Sequence, residues 1–261
     1  MPGLLGSTGL LSAGLIFGGL LLVVELGFHF GRRSPRWSRE DLSQLASIQG
    51  AILGLLALLL GFSFAAAAAR FANRGELIVE QANAASAILD RMPLLPEPQR
   101  SSTLSVLRQH IDAWVELFDS ADSGLKSGAM QKAAQSAAAV ANLLYASIER
   151  FPTLANVLVP ASDQLTGLHG RRTAERGQHL PIAQLLVLFA CSAVAVGTVG
   201  YSSGLAGRRT VWLSSALAFL IAAVLWLIID LDQPRHGVMK VSQQPLLDLQ
   251  MRLRPVPVTG K

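Results

Sequence analysis

Cysteine is nearly absent from this sequence of 261 residues, since Cys191 is alone and lies inside an apolar run. A single cysteine excludes a disulfide framework and a cysteine-based metal site within one chain. Charged residues are also scarce, at 15% of the chain, against roughly a quarter in ordinary soluble domains. Because 51% of the residues are hydrophobic and the mean hydropathy is +0.43, the composition favours a membrane protein.

Catalytic and metal-binding signatures are missing as well. The five histidines include no pair at i, i+4, and the sequence has no His-Glu-x-x-His, Gly-x-Ser-x-Gly or Gly-x-x-x-x-Gly-Lys motif. Asp230 and Asp232 are two positions apart at a helix end, where they do not face each other as a catalytic dyad would. We therefore expect no enzyme activity, no bound metal and no cofactor.

The formal net charge of +5 is concentrated in a few short segments. Residues 71–180 carry 10 Lys/Arg and 11 Asp/Glu, so the largest polar region is not basic. Two short segments beside apolar runs, 31–47 and 202–210, hold 6 Lys/Arg in 26 residues. This pattern indicates membrane topology and argues against a nucleic-acid partner. Under the positive-inside rule, both termini and residues 71–180 lie outside the cytoplasm.

Four apolar segments are long enough to cross a bilayer, which takes about 20 residues. We predict transmembrane helices at 1–30, 48–69, 181–201 and 211–229. The first is predicted to be a retained span, because no Lys or Arg precedes its apolar core and no Ala-x-Ala-like site follows it. The remaining segments are predicted as short basic loops at 31–47 and 202–210, a helical extramembrane domain at 70–180, and a C-terminal turn with an amphipathic helix at 230–261.

The second span is predicted to continue out of the membrane as one helix. No breaker lies between Ala69 and Met92, so the helix from Ile48 to Met92 measures about 67 Å. A proline cluster at 93–98 ends it. Beyond it, helical patterns cover about 101–119, 126–151 and 156–176, and Pro245 is placed to open the last helix. We predict an all-α membrane protein with four transmembrane helices, the second and third extended into a helical soluble domain.

Small residues make the second span narrow, and two interpretations of this remain open. Gly54, Gly61 and the five alanines Ala65–Ala69 permit close packing against other helices. The same residues, with Phe62 and Phe64 among them, fit a pore with an apolar constriction. Two polar residues in the other spans are interpreted more simply, Glu25 as an interfacial acid and Gln184 as an interhelical hydrogen bonder.

One stretch of this helix resembles the pore-helix signature of the bestrophins. It reads Gly61-Phe62, seven further residues, then Arg70-Phe71-x-Asn73-x-x-Glu76. The order of elements is similar too, and Asp232-Gln233-Pro234 with Gly237 resembles the turn that follows the last bestrophin span. The whole chain resembles the bestrophin-like family of bacterial multi-pass membrane proteins.

The resemblance implies a homo-oligomeric ion channel, a pentamer in the bacterial inner membrane, with anions as candidate permeant ions. The second span then lines the pore, Phe62 and Phe64 narrow it, and Arg70 attracts anions at its mouth. The implied pore residues are Gly54, Gly61, Phe62, Phe64 and Arg70, and the implied family-motif residues are Phe71, Asn73, Glu76, Asp230, Asp232, Pro234 and Gly237.

The chain also departs from the bestrophins. Five alanines replace several pore aromatics, and only Asp230 and Asp232 remain of the calcium-binding acidic cluster, so calcium control is not expected. The resemblance puts the helical domain in the cytoplasm, opposite to the prediction from charge. A second hypothesis explains the same packing without a pore: a non-conducting scaffold or sensor whose helical domain binds a partner or ligand.

Overall fold

The computed structural model describes residues 5–35, 37–119, 123–175, 181–209, 211–232 and 241–254. Within these ranges the chain is helical and contains no strand, which confirms the predicted all-α fold. Four of its helices are long and apolar enough to cross a membrane. The helices are α1 Leu5–Arg33, α2 Arg39–Arg91, α3 Gln99–Asp119, α4 Ser123–Arg150, α5 Ala155–Glu175, α6 Ile182–Leu205, α7 Val211–Asp232 and α8 Gln244–Leu253.

The chain divides into two compact units. Residues 1–72 and 179–240 form the first, which we call the membrane unit because it contains α1, α6, α7 and the apolar part of α2. Residues 73–178 and 241–261 form the second, the helical unit. The described C-terminal residues 241–254 thus belong to the helical unit. The membrane boundaries of the spans stay predictions.

Helix α2 is unbroken over 53 residues, about 80 Å, and so confirms the continuous helix expected through Arg70. Its start differs from the prediction, because residues 39–47 are helical where a loop was expected. A capping box explains this start. The Ser38 backbone N–H donates to Asp41 Oδ2 at 3.0 Å, and the Asp41 N–H donates to Ser38 Oγ at 3.1 Å. The helix ends where Met92–Leu94 form a 3-10 turn containing Pro93.

The membrane unit is held together by a close contact between α1 and α6. A Cβ added at Gly27 or Gly31 of α1 would overlap the backbone of α6, and one added at Gly200 or Gly204 of α6 would overlap the backbone of α1. Only hydrogen atoms fit between the two helices at these four positions. Small residues at an interface are how membrane helices gain packing energy without a hydrophobic driving force.

Two helix ends in this unit are set by the local sequence. Helix α6 begins at Ile182, after Pro181 in a non-helical conformation. Proline lacks the backbone N–H that a continuing helix would need. Helix α7 runs on to Asp232, so Asp230 and Asp232 belong to its last turn and not to a loop.

The helical unit has its own apolar core, built from α2, α3, α4, α5 and α8. Leu107, Ile111 and Trp114 of α3 are almost completely buried there. The predicted amphipathic helix is confirmed as α8, and its Leu246, Leu249 and Leu253 are buried in this core. Because α8 presents all three leucines to the core, it is an integral part of the unit.

Hydrogen bonds fix α8 in position. Arg108 Nε donates to the Leu253 carbonyl oxygen at 2.6 Å, and Gln250 donates to Asp112 at 2.7 Å. Arg252 also pairs with Asp90 at 3.1 Å. A polar cluster lies deeper in the unit, where the Trp114 indole donates to His110 Nε2 at 3.2 Å. Since Nε2 accepts, the proton of this buried imidazole is assigned to Nδ1, near the Ala133 carbonyl oxygen at 3.1 Å.

Candidate functional site

One face of α2 in the membrane unit is lined with small residues that are left uncovered by the described part of the chain. All of its members are exposed, and no atom lies within 4 Å of a Cβ built at any of its three glycines. The residues recur every three, four or seven positions, which keeps them on one side of an α-helix. We call this surface the small-residue face: Gly50, Gly54, Ala57, Gly61, Ala65 and Ala72.

Two phenylalanines flank the small-residue face. Phe62 is 67% exposed and Phe64 is 38% exposed. With about 3.6 residues per turn, they lie on opposite sides of Gly61. Phe62 also borders a shallow groove of about 310 Å³ that includes Ser63 and Gln184. Gln184 donates to Ser63 Oγ at 3.0 Å, so its predicted role as an interhelical hydrogen bonder is confirmed.

Arg70 forms an ion pair with the end of α7. Its Nε lies 3.4 Å from Oδ1 of Asp232, and the two side chains are 26% and 11% exposed. The Arg70 Nε and Nη2 atoms are buried and make no hydrogen bond. Arg70 therefore does not present the free positive charge that the sequence suggested for a pore mouth. The Asp232 carboxylate offsets part of that charge.

The other motif residues lie in different environments. Phe71 is partly buried against the core of the membrane unit, and Asp230 is buried next to Asp232 in the chain. Asn73 and Glu76 are exposed on the part of α2 that belongs to the helical unit. Pro234 and Gly237 lie outside the described residues. Within the membrane unit, the structure brings the Arg70 and Asp232 parts of the motif together.

Glu25 lies on the exposed surface of α1. Its side chain is 48% exposed, and its Oε2 is 3.5 Å from Arg209 and 3.9 Å from His29. An acid in this setting avoids the full cost of burial in hydrocarbon, which is about 2.5 kcal/mol or more. The geometry agrees with the interfacial interpretation, and the partner comes from the loop after α6.

No group of three or more His, Cys, Asp or Glu residues in the described part of the chain could hold a metal ion. The two buried acids of α7 are accompanied by Arg70, whose cationic charge disfavours a cation at the same position.

The sequence reasoning missed the α1–α6 contact. Its signal was present as Gly27-x-x-x-Gly31 and Gly200-x-x-x-Gly204, the small-xxx-small spacing of packed membrane helices. The pairing of Arg70 with Asp232 had no comparable local signal.

Four helices long and apolar enough to cross a bilayer, with a close glycine contact between two of them, define a multi-pass, all-α membrane protein. The bestrophin-like domain model matches residues 18–246, so the chain belongs to the bestrophin-like family.

Comparison with solved structures supports the same fold. A crystal structure of a bacterial bestrophin homologue from Klebsiella pneumoniae is similar with a TM-score of 0.66 and 15% identity, over 90% of this chain and 95% of that chain. A point variant of that homologue gives 0.65 and 13% identity over 97% and 96%. A structure described as a membrane protein gives 0.68 and 13% over 94% and 97%. Among the curated proteins, none matches this chain.

Proposed function

We propose that the chain is the subunit of a homo-oligomeric ion channel in which one α2 helix per copy lines the pore. The supporting observation is the small-residue face, which is exposed along α2 while Leu56, Leu60 and Ala67 of the same helix are buried in the membrane unit. In a ring of copies, such a face surrounds a common axis. The family resemblance implies five copies, in a bacterial inner membrane.

The proposed constriction is formed by the two phenylalanines that flank the face. Rings of apolar side chains gate channels by dewetting, because a narrow apolar passage excludes water. Gly54, Gly61 and Ala65 leave space between these aromatic rings. Phe62 is the stronger gate candidate because it is the more exposed of the two in the isolated chain.

Anions are the proposed permeant ions, on the family resemblance alone. The sequence suggested that an unpaired Arg70 attracts anions at the pore mouth. We propose a different role, because Asp232 lies 3.4 Å from its Nε. We propose that the pair fixes the end of the lining segment of α2 to α7. Ion preference then depends on the oligomer's lining as a whole and not on a ring of unpaired arginines.

Recordings from purified protein in planar bilayers test conduction. Phe62→Ala is expected to raise unit conductance or open probability, because it removes apolar bulk from the constriction. Phe219→Ala is a matched control, since Phe219 is 57% exposed on α7 and belongs to no proposed lining or binding surface. The proposal fails if the wild-type protein carries no current under any condition, or if both variants change the current equally.

Oligomeric state separates the channel from the non-conducting scaffold or sensor. A pore lined by one helix per copy needs several copies, and a monomer or dimer cannot enclose it. Native mass spectrometry in mild detergent should therefore give a higher oligomer, with a pentamer as the expected mass. A monomer or dimer would instead support the scaffold, whose helical unit would bind the partner or ligand.

A further inference from the structure

Two basic segments that are far apart in the sequence meet at one end of the membrane unit. Arg32 and Arg33 occupy the last turn of α1, and Arg208 and Arg209 follow the end of α6. The glycine contact joins these helix ends, since a Cβ on Gly204 would lie only 2.9 Å from the Arg32 backbone nitrogen. We call the four arginines the basic rim.

The positive charge of the basic rim is mostly uncompensated. All four side chains are exposed. Arg209 lies 3.5 Å from Glu25 and 4.8 Å from the centroid of the Phe28 ring. Among the described residues, no ion pair involves Arg32, Arg33 or Arg208. Of the four guanidinium groups, Arg209 is thus the one with an ion pair among the described residues.

The surroundings of the basic rim match the boundary between lipid tails and headgroups. Trp37 and Tyr201 form an edge-to-face pair with centroids 5.8 Å apart, and Trp and Tyr are enriched at that boundary. Leu26 and Phe30 of α1 are 58% and 65% exposed next to the arginines. Cationic groups beside an outward apolar surface suit a ligand that is itself anionic at one end and apolar at the other.

We propose that the basic rim binds the phosphate headgroup of an anionic phospholipid, with the acyl chains along Leu26 and Phe30. Guanidinium groups bind phosphate oxygens in a bidentate manner and keep their charge at any physiological pH. Basic residues at the membrane surface are attracted to anionic lipids. Arginines at helix C-termini also complement the helix dipole, but that role needs no lipid and predicts no lipid preference.

The test measures lipids retained by the purified full-length protein. The protein in mild detergent is mixed with equal amounts of phosphatidylglycerol and phosphatidylcholine, and native mass spectrometry counts each bound species. We expect wild type to retain phosphatidylglycerol at least about fivefold over phosphatidylcholine, about 1 kcal/mol per copy. The double variant Arg33→Gln/Arg208→Gln should lose most of this preference.

Two further variants make the result specific. Arg150→Gln/Arg254→Gln removes the same charge from exposed arginines of the helical unit and should leave the preference unchanged. Arg33→Lys/Arg208→Lys keeps the charge and should retain most of it, even if the glutamine variant does not fold. The proposal would be overturned if wild type retained the two lipids equally. It would also be overturned if Arg150→Gln/Arg254→Gln lost the preference as strongly as Arg33→Gln/Arg208→Gln.

A competition experiment separates a lipid from a free anion. Inorganic phosphate in excess should not displace phosphatidylglycerol, because it has no acyl chains to occupy the apolar surface. Full displacement would instead assign the basic rim to a soluble anion. The proposal does not depend on conduction, so a protein that carries no current but retains phosphatidylglycerol would refute only the channel.

Discussion

Replacing Asp232 with Asn is expected to destabilise the membrane unit through Arg70. The two charged atoms are 3.4 Å apart, and the side chains are 26% and 11% exposed. With an effective dielectric constant of about 20, the Coulomb term at this separation is about 5 kcal/mol. Desolvation of both groups offsets much of it, so we expect a net coupling of about 1–3 kcal/mol.

A double-mutant cycle with Arg70→Gln and Asp232→Asn measures this coupling. The free energy of unfolding of each variant is obtained by titrating the protein from mild detergent into sodium dodecyl sulfate and following tryptophan fluorescence. The cycle remains valid where Asp232 has other partners, because their loss appears in the single variants.

An exposed pair at nearly the same distance provides the reference. Lys132 and Glu116 of the helical unit are 3.3 Å apart, with side chains 63% and 47% exposed. Exposed pairs contribute at most about 1 kcal/mol. If the Arg70 and Asp232 effects add within about 0.5 kcal/mol, the ion pair is energetically unimportant and the reasoning is refuted.

Three further predictions concern packing and titration. Gly200→Ala should destabilise the membrane unit by about 1–3 kcal/mol in the same titration, because its Cβ overlaps the Val24 backbone. Leu249→Ala should cost the helical unit about 2–5 kcal/mol by thermal unfolding, since Leu249 is 2% exposed. The pKa of Tyr145 is raised above 10.0, chiefly because its hydroxyl donates to Asp163. Asp163→Asn should lower it toward 10.0 in an absorbance titration at alkaline pH.

Each of these predictions has a control. Gly19→Ala is the control for Gly200→Ala. Gly19 is in α1 and has no atom within 4 Å of the added Cβ, so this substitution should not destabilise the protein. Met251→Ala, 57% exposed on α8, should have a small effect. Because the pKa of Tyr145 is raised on folding, its protonated hydroxyl stabilises the folded state fully below pH 10. This stabilisation is lost as the pH rises above that value. Tyr145→Phe should remove that part of the alkaline destabilisation. If stability depended on pH in the same way in this variant, the raised pKa of Tyr145 would be contradicted.

Much of the fold follows from local sequence signals. The continuity of α2 was predictable because no residue between Ala69 and Met92 breaks a helix, and α8 was predictable from Pro245 followed by spaced leucines. The early start of α2 was missed because hydropathy alone was read there, while Ser38-x-x-Asp41 carried the capping signal. Pro181 is a local signal for the start of α6, which begins at the next residue, Ile182.

Part of the candidate site could also be predicted from the sequence, and part could not. Helical periodicity is local, so the positions of Gly54, Gly61 and the two flanking phenylalanines could be derived from spacing. The partner of Arg70 could not, because Asp232 is on a different helix and far away in the sequence. A single sequence identifies which residues share a helix face, but it does not specify which charges meet across a tertiary contact.

The position of α8 affects how the disputed orientation can be measured. A reporter enzyme that replaces residues 241–261 would delete three leucines that fill the helical unit, and the truncated protein would expose an apolar cavity to water. Such a fusion would be degraded or misinserted, and its signal would describe the damaged protein. A reporter should therefore follow Lys261, with a second one inserted between α3 and α4, so that two sites in the helical unit report from an intact core.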